Sequence, residues 1–352
     1  MVIITVILFL AVILYDTYYF AIFLYQSTKS CDVTYNPHIS VIIPVYNNQS
    51  TIKDCIDSVL RSHYDIQEVI VVNDGSIDET SHILDSLHDP RLLIYHISHS
   101  GKAAALNYGI ERASGDIVTV DADTILTPHT IGNLVRNLKI YDAVAGNVQV
   151  SNRTGFLGRC QCIEHIRVAM FRKVSQFFNE IDIVPGPVGA FKKEIFSSLT
   201  YGASMVEDME LTRLLKEKGY RIGYEQEAKA YTKMPHTLTH FLTQRLRWAR
   251  GNLELAGQGT LPLTAVVIGY LLALGDVSIL ALSIWTHMPE IVLIFFGYES
   301  CTMLIGTYRE KEPCTIESLF FPVFMLFLDI VFLITYFQAF IQLQTGKIFS
   351  DR

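Results

Sequence analysis

Basic residues are missing from three long stretches of this 352-residue chain, and charge of either sign is scarce. There is no Lys or Arg from Met1 to Thr28, from Gly251 to Tyr308, or from Glu312 to Gly346, and 23 of the 28 lie between residues 30 and 250. Charged residues make up 18% of the chain, below the roughly 25% of an ordinary soluble domain, and half of all residues are apolar. That balance excludes a disordered chain and argues against a wholly soluble enzyme. A basic surplus is also missing: the formal charge of −7 speaks against a nucleic-acid partner. Cysteine is thin, with Cys31, Cys55, Cys160, Cys162, Cys301 and Cys314 too few and too scattered for a disulfide framework. Cys160-x-Cys162 lacks the spacing of a zinc pair, so the six read as reduced thiols on a mostly cytosolic face. What remains is a membrane protein with a substantial soluble part.

The gaps hold the hydrophobic runs. The first carries VIITVILFLAVIL and YDTYYFAIFLY, close to the ~20 residues a membrane helix needs. A signal peptide would show a basic start and a small-residue cleavage site, and neither is present. An uncleaved helix is expected, with Asp16 facing other helices or an interface. The C-terminal third offers Leu261–Ile284, Ile291–Thr307 and Leu319–Leu343, with Asp276 and Asp329 as single intramembrane carboxylates. Such residues usually face a bundle interior, where they line a path or pair with a neighbour. The positive-inside rule places the 30–250 block in the cytoplasm and the short loop TYREKEP (Thr307–Pro313) on the same side. Lys347 and Arg352 then fall on the far side, so the C-terminal spans number about three.

Between the spans, strands and helices alternate. ISVII (Ile39–Ile43) ends in Pro-Val-Tyr-Asn, EVIVV (Glu68–Val72) in NDGS, and IVTV (Ile117–Val120) in DADT, with a further run at Leu92–Ile97. Helical stretches intervene at Thr51–Arg61, near Glu79–Leu87 and near Lys102–Arg112, and Pro128 opens another. This order predicts a mostly parallel α/β sheet of nucleotide-binding type, with ligands at the carboxyl ends of the strands. Two later segments, Phe156–Phe178 and Leu238–Leu253, place apolar residues at helical spacing with Arg and Lys between them. Basic amphipathic helices tend to lie in the membrane interface, although helices packed on a sheet would read alike.

Asp121-x-Asp123 follows the IVTV strand, and hard carboxylate oxygens there suit Mg²⁺ or Mn²⁺ bridging to a diphosphate. Asp74 is a lone acid in a tight turn. Gly101-Lys102 is not a P-loop, because Ala103 follows the lysine, yet a lysine opening a helix can meet a phosphate. Glu207-Asp208 opens a helix that runs to Gly219, and by itself the pair would only complement the helix dipole. Gln244-x-x-Arg247-Trp248 is the rarest pattern, expected by chance on the order of a few times in a thousand such chains.

ISVIIPVYN, VVNDGSIDET, GKAAALN, DADT, GPVGAF, VEDMELT and QRLRWARG occur in the order seen in processive, membrane-embedded family 2 glycosyltransferases. That class includes the cellulose, chitin and hyaluronan synthases, and the chain most resembles bacterial poly-β-1,6-N-acetylglucosamine synthases. The resemblance covers roughly Ile39 to Gly251 at motif level and is weakly specific for the sugar. It implies a GT-A nucleotide-sugar-binding domain fused to transmembrane and interfacial α-helices. The implied organisation is a transmembrane helix at 1–28, a cytoplasmic catalytic domain at 30–235, an interfacial helix at 236–256 and C-terminal transmembrane helices at 257–352, in a multi-pass cell-membrane protein. Carried over by position, Asp74 would contact the uridine, with Tyr46 near the base and Lys102 near the nucleotide. Asp121 and Asp123 would hold the metal, Asp208 would be the general base beside the substrate-facing Glu207, and Gln244, Arg247 and Trp248 would line the acceptor end. Implied partners are a UDP-sugar donor, a growing polysaccharide, membrane lipid and room for a small membrane partner subunit. The implied reaction is inverting transfer, from an α-linked UDP-sugar to a β-linked polymer that is translocated across the membrane.

Some features depart from that class. The chain is short for it, Gly186–Phe191 reads GPVGAF where relatives often carry other small residues, and IGTYRE (Ile305–Glu310) only faintly matches the W-G-T-R loop of hyaluronan synthases. A non-processive transferase that puts one sugar on a lipid carrier is the alternative, against which Gln244, Arg247 and Trp248 argue. A catalytically inert relative is a third, against which Asp74, Asp121, Asp123 and Asp208 argue.

Overall fold

The computed structural model describes residues 2–26, 35–259 and 263–345. Cys31, Leu261, Lys347 and Arg352 lie outside the described residues. In chain order the first elements are α1 (Val2–Tyr25), β1 (Ile39–Val45), α2 (Ile52–Leu60), β2 (Glu68–Asp74), α3 (Thr80–Asp85), β3 (Leu92–Ile97) and α4 (Lys102–Arg112). Then follow β4 (Asp116–Val120), β5 (Thr124–Leu126), α5 (Thr130–Asn137), β6 (Ala143–Val150), α6 (Gly155–Phe177), β7 (Val188–Phe191) and α7 (Glu207–Glu217). The last are β8 (Ile222–Thr232), α8 (Leu238–Gly257), α9 (Leu263–Trp285), α10 (Pro289–Glu310), α11 (Thr315–Leu319) and α12 (Phe321–Thr345). The chain forms two compact units: Ser27–Ser151 with Ser175–Lys233, and Met1–Gln26 with Asn152–Val174 and Met234–Arg352.

The first unit is built on one sheet in the order β3-β2-β1-β4-β7-β6-β8-β5. β1 pairs in parallel with β2 and β4, β2 with β3, and β6 with β8, while β7 runs antiparallel to β4 and β6, and β5 to β8. All seven residues of ISVIIPV in β1 are buried, because helices cover both faces and a parallel strand then carries apolar side chains throughout. Its core joins Ile43, Val71, Val118, Leu134 and Val144. Pro44 sits inside β1 without disrupting it. Its pairing with β4 ends at Ile42 opposite Thr119, so no ladder bond to β4 is asked of the proline nitrogen. Chain order reverses between β1 and β4, and such a switch point opens a crevice beyond the strand ends.

In the second unit α1, α9, α10 and α12 are long and apolar enough to cross a membrane. At about 1.5 Å per residue, each reaches the ~30 Å of a hydrocarbon core. Arg309 on α10 donates to the carbonyls of Phe23 (2.9 Å) and Leu24 (3.0 Å), which α1 leaves unpaired at its end. This corrects the reading of Thr307–Pro313 as a loop. α10 continues through Glu310 because Gly306, Thr307 and Glu310 are buried, and Lys311 ends it in a left-handed conformation with φ of 55°. Two basic residues of α6 and α8 are engaged within this unit. Arg245 forks onto Glu164 at 2.6 Å through each nitrogen, and Lys173 lies 3.9 Å from buried Glu310. The five described cysteines are free.

Candidate active site

The loops after β1 and β2 are stitched together. Asn47 N–H donates to Ser76 Oγ (2.9 Å), Ile77 N–H to Asn47 Oδ1 (2.8 Å) and Asn48 N–H to Thr80 Oγ1 (2.9 Å). The turn between them depends on Gly75, whose φ is +69° and where a Cβ would stand 2.7 Å from the His99 nitrogen. Asp74 is buried, and its carboxylate accepts from the backbone N–H of Ser100 (2.7 Å) and Gly101 (2.9 Å). It therefore clamps the loop that leads into α4, at the strand end where the resemblance implies a contact with uridine. His99 was missed altogether. Its ring lies 2.9 Å from Asp74 and stacks on half-exposed Tyr46 with centroids 4.2 Å apart, forming an aromatic wall at the strand ends. Nothing in SHSGK marks that histidine, since the contact joins residues far apart in sequence.

Beside this wall the acidic residues converge on Lys102. Its ammonium lies 2.7 Å from Asp121 and 3.1 Å from Glu207. β4 delivers Asp121, α4 begins at Lys102, and α7 begins at Glu207. Asp208 accepts from the N–H of Gly186 (3.1 Å) and from that of Met209 (2.9 Å), so its carboxylate is held by backbone at the start of α7. Gly186 lies against the cluster, and a Cβ there would come within 2.8 Å of the Lys102 ammonium and 3.2 Å of Asp121. Asp123 accepts from Thr232 Oγ1 on β8 at 3.1 Å.

Charge sets the protonation of these groups. Burial alone would lower the Lys102 ammonium, but Asp121, Glu207 and Asp208 outweigh it and hold it above the ordinary lysine range. Burial, then the neighbouring Glu207, push the Asp208 carboxyl up, against the opposing pull of Lys102 and the two backbone N–H groups. Burial and Asp121 raise Asp123 as well. Two hard carboxylates separated by one residue, one of them already facing a cation in Lys102, suit a divalent ion whose other ligands are phosphate oxygens and water. Among the described residues no group of three or more His, Cys, Asp and Glu side chains is placed to hold a metal by itself.

Gln244, Arg247 and Trp248 lie on α8 in the other unit, at i, i+3 and i+4 spacing that sets them on one face. Arg247 is exposed, whereas the Gln244 Oε1 is buried with no hydrogen-bond partner. The Arg245 guanidinium covers the Trp248 ring at 4.6 Å.

Residues 40–200 match the model of glycosyl transferase family 2. Poly-beta-1,6-N-acetyl-D-glucosamine synthase of Staphylococcus aureus is 33% identical over 227 residues, which are 62% of this chain and 55% of that protein. The Staphylococcus epidermidis synthase of the same name is 32% identical over 228 residues, with the same shares. The chain thus spans about half the length of these curated relatives. A mannosyltransferase, PcManGT from Pyrobaculum calidifontis, solved with GDP-Man and Mn²⁺, superposes with a TM-score of 0.65 at 18% identity, covering 98% of this chain and 99% of that one. The sheet and its helices thus have the GT-A-like fold.

Proposed function

We propose that this membrane protein, whose residues 40–200 form a family 2 glycosyltransferase domain, transfers N-acetylglucosamine from a UDP-sugar onto a growing β-linked polysaccharide. The observation that carries the reading is the convergence of Lys102, Asp121, Glu207 and Asp208 at the strand ends of the sheet. The names of the staphylococcal relatives support a polymer of N-acetylglucosamine.

Tyr46 and His99 offer a flat surface for the base, and Asp74 holds the loop from which Lys102 reaches the nucleotide. Lys102 opens α4, so its ammonium and the helix N-terminus present positive charge together to a diphosphate. Asp121 and Asp123 would hold Mg²⁺ or Mn²⁺, which when bound neutralises charge on the departing diphosphate. Asp208, fixed by the Gly186 and Met209 N–H groups, accepts the proton of the acceptor hydroxyl as that oxygen attacks the anomeric carbon. A single displacement inverts the α-linked donor into a β-linkage. Gln244, Arg247 and Trp248 serve the acceptor, with the indole stacking on a pyranose through the face that Arg245 does not cover. The catalytic unit faces the cytoplasm, and the polymer end stays bound between additions and crosses the membrane, as the four apolar helices and the distribution of basic residues suggest.

The test is UDP release by purified protein across a panel of UDP-sugars, with the product sized and digested by linkage-specific glycosidases. UDP-N-acetylglucosamine should give the fastest release and a long product that a β-specific enzyme degrades. A product one sugar long would overturn the processive reading.

A further inference from the structure

The helical unit holds a second set of acids that sugar transfer does not use. Asp16 on α1, Asp276 on α9, Glu299 on α10 and Asp329 on α12 line one cavity with Arg167 on α6. Glu299 is 9% exposed and Asp329 8% exposed, while Asp16 and Asp276 are half-buried. Among the described residues no cation comes within ion-pair distance of any of the four. Arg167 instead lies over the rings of Phe171 (5.2 Å) and Phe321 (5.7 Å) and donates to the Met325 sulfur at 3.0 Å.

One feature points to what these groups bind. The Glu299 Oε1 and Asp329 Oδ2 atoms are buried with no hydrogen-bond partner, and both side chains line one cavity of about 20 Å³ with Asp16, Arg167 and Asp276. A carboxyl that holds a proton carries no charge there and can donate to a water or a neighbouring oxygen. A neighbouring cavity of about 60 Å³ is bounded by Asp16, Arg167 and Glu299, so between them there is room for a few waters. Four ionised carboxylates against one guanidinium would leave three uncompensated negative charges between apolar helices, at several kcal/mol each. A metal ion would need those carboxylates gathered around one point, and no such gathering is present among the described residues.

We propose that Asp16, Asp276, Glu299 and Asp329 form a proton-binding site within the helical unit, centred on the cavity they share with Arg167, its fixed cation. The other titratable groups facing it are Tyr15 and Tyr19 on α1, Glu164 on α6 and Tyr298 on α10. Glu164 is already committed to Arg245. Protonation lets these helices carry polar groups where bare charge would drive them apart. The site stands independently of the transfer reaction.

The probe is dicyclohexylcarbodiimide, an apolar reagent that couples to protonated carboxyls, applied to the full chain in phosphatidylcholine vesicles and read by peptide mass spectrometry. Modification should concentrate on Glu299 or Asp329 at neutral pH, severalfold above Glu254, a carboxylate ion-paired to Arg250, and should fade as pH rises. Labelling of all four acids no stronger than that of Glu254 at every pH would overturn the proposal. So would suppression by Na⁺ or Ca²⁺ at constant pH, which would assign the pocket to a metal cation. Glu299→Gln mimics the protonated form and should match the parent in abundance and heat resistance. Loss of heat resistance in Glu299→Gln but not in Glu299→Asp would show that the charge itself is required, and would equally count against the site.

Discussion

Acidic side chains gather in both units of this protein, and the two gatherings are equipped differently. At the strand ends of the sheet, Asp121 and Glu207 share the Lys102 ammonium and Asp208 takes two backbone N–H groups. Between the long helices, four carboxyls have one guanidinium in view and no ion pair among the described residues. The first arrangement suits carboxylates that must be ionised to work; the second suits carboxyls that hold protons. Partners, more than residue type, decide what an aspartate does here.

The largest effect is expected at Asp123. If the sheet site works with ionised oxygens around a divalent cation, Asp123→Asn should abolish turnover and weaken UDP-sugar binding in a filter or calorimetric assay. Full activity of the parent in excess EDTA would remove the cation from the account. The helical unit makes a separate demand at Trp248, where Trp248→Ala should stop elongation while leaving metal-dependent UDP-sugar binding nearly intact. Normal chain length from Trp248→Leu at normal abundance would reduce that tryptophan to a membrane anchor.

Smaller changes sharpen the contrast. Gly186→Ala pushes a methyl against the Lys102–Asp121 pair, and the flexible lysine can yield, so the fold should survive. Turnover should fall roughly tenfold, less than the ~10²-fold that a 1 Å misplacement can cost, with thermal stability unchanged. The least effect lies in the pH profile. Burial first and Glu207 second raise the Asp208 carboxyl, and in the proposed role as base it works only when ionised. Activity should therefore fall as pH drops through a value above the ordinary aspartate range, and Glu207→Gln should move that acid limb of kcat/KM downward.

How much of this was legible in the sequence follows the physics of each element. β1, β2 and β4 announce themselves as short, largely apolar runs because both their faces are covered. β6 and β8 do not: AVAGNVQV and IGYEQEAKAYT mix in Gly, Gln, Glu and Lys that only the sheet register explains. The acids and Lys102 could be picked out by their motifs. Their convergence, and the part played by His99, needed contacts between distant segments. Asp16, Asp276 and Asp329 stood out against apolar spans, but Glu299 is hidden in the polar stretch YES, and Arg167 reads like its basic neighbours on α6. Charge in an unlikely place is legible; the company it keeps is not.

Asp208 is proposed to accept the acceptor's proton, in a site that binds the nucleotide sugar without it. The direct measurement is UDP release from UDP-N-acetylglucosamine by purified Asp208→Asn protein, beside its affinity for the same nucleotide sugar. Affinity close to the parent with release reduced at least ~10²-fold is the predicted result. Loss of affinity and release together would contradict it, leaving Asp208 as a structural residue at the start of α7.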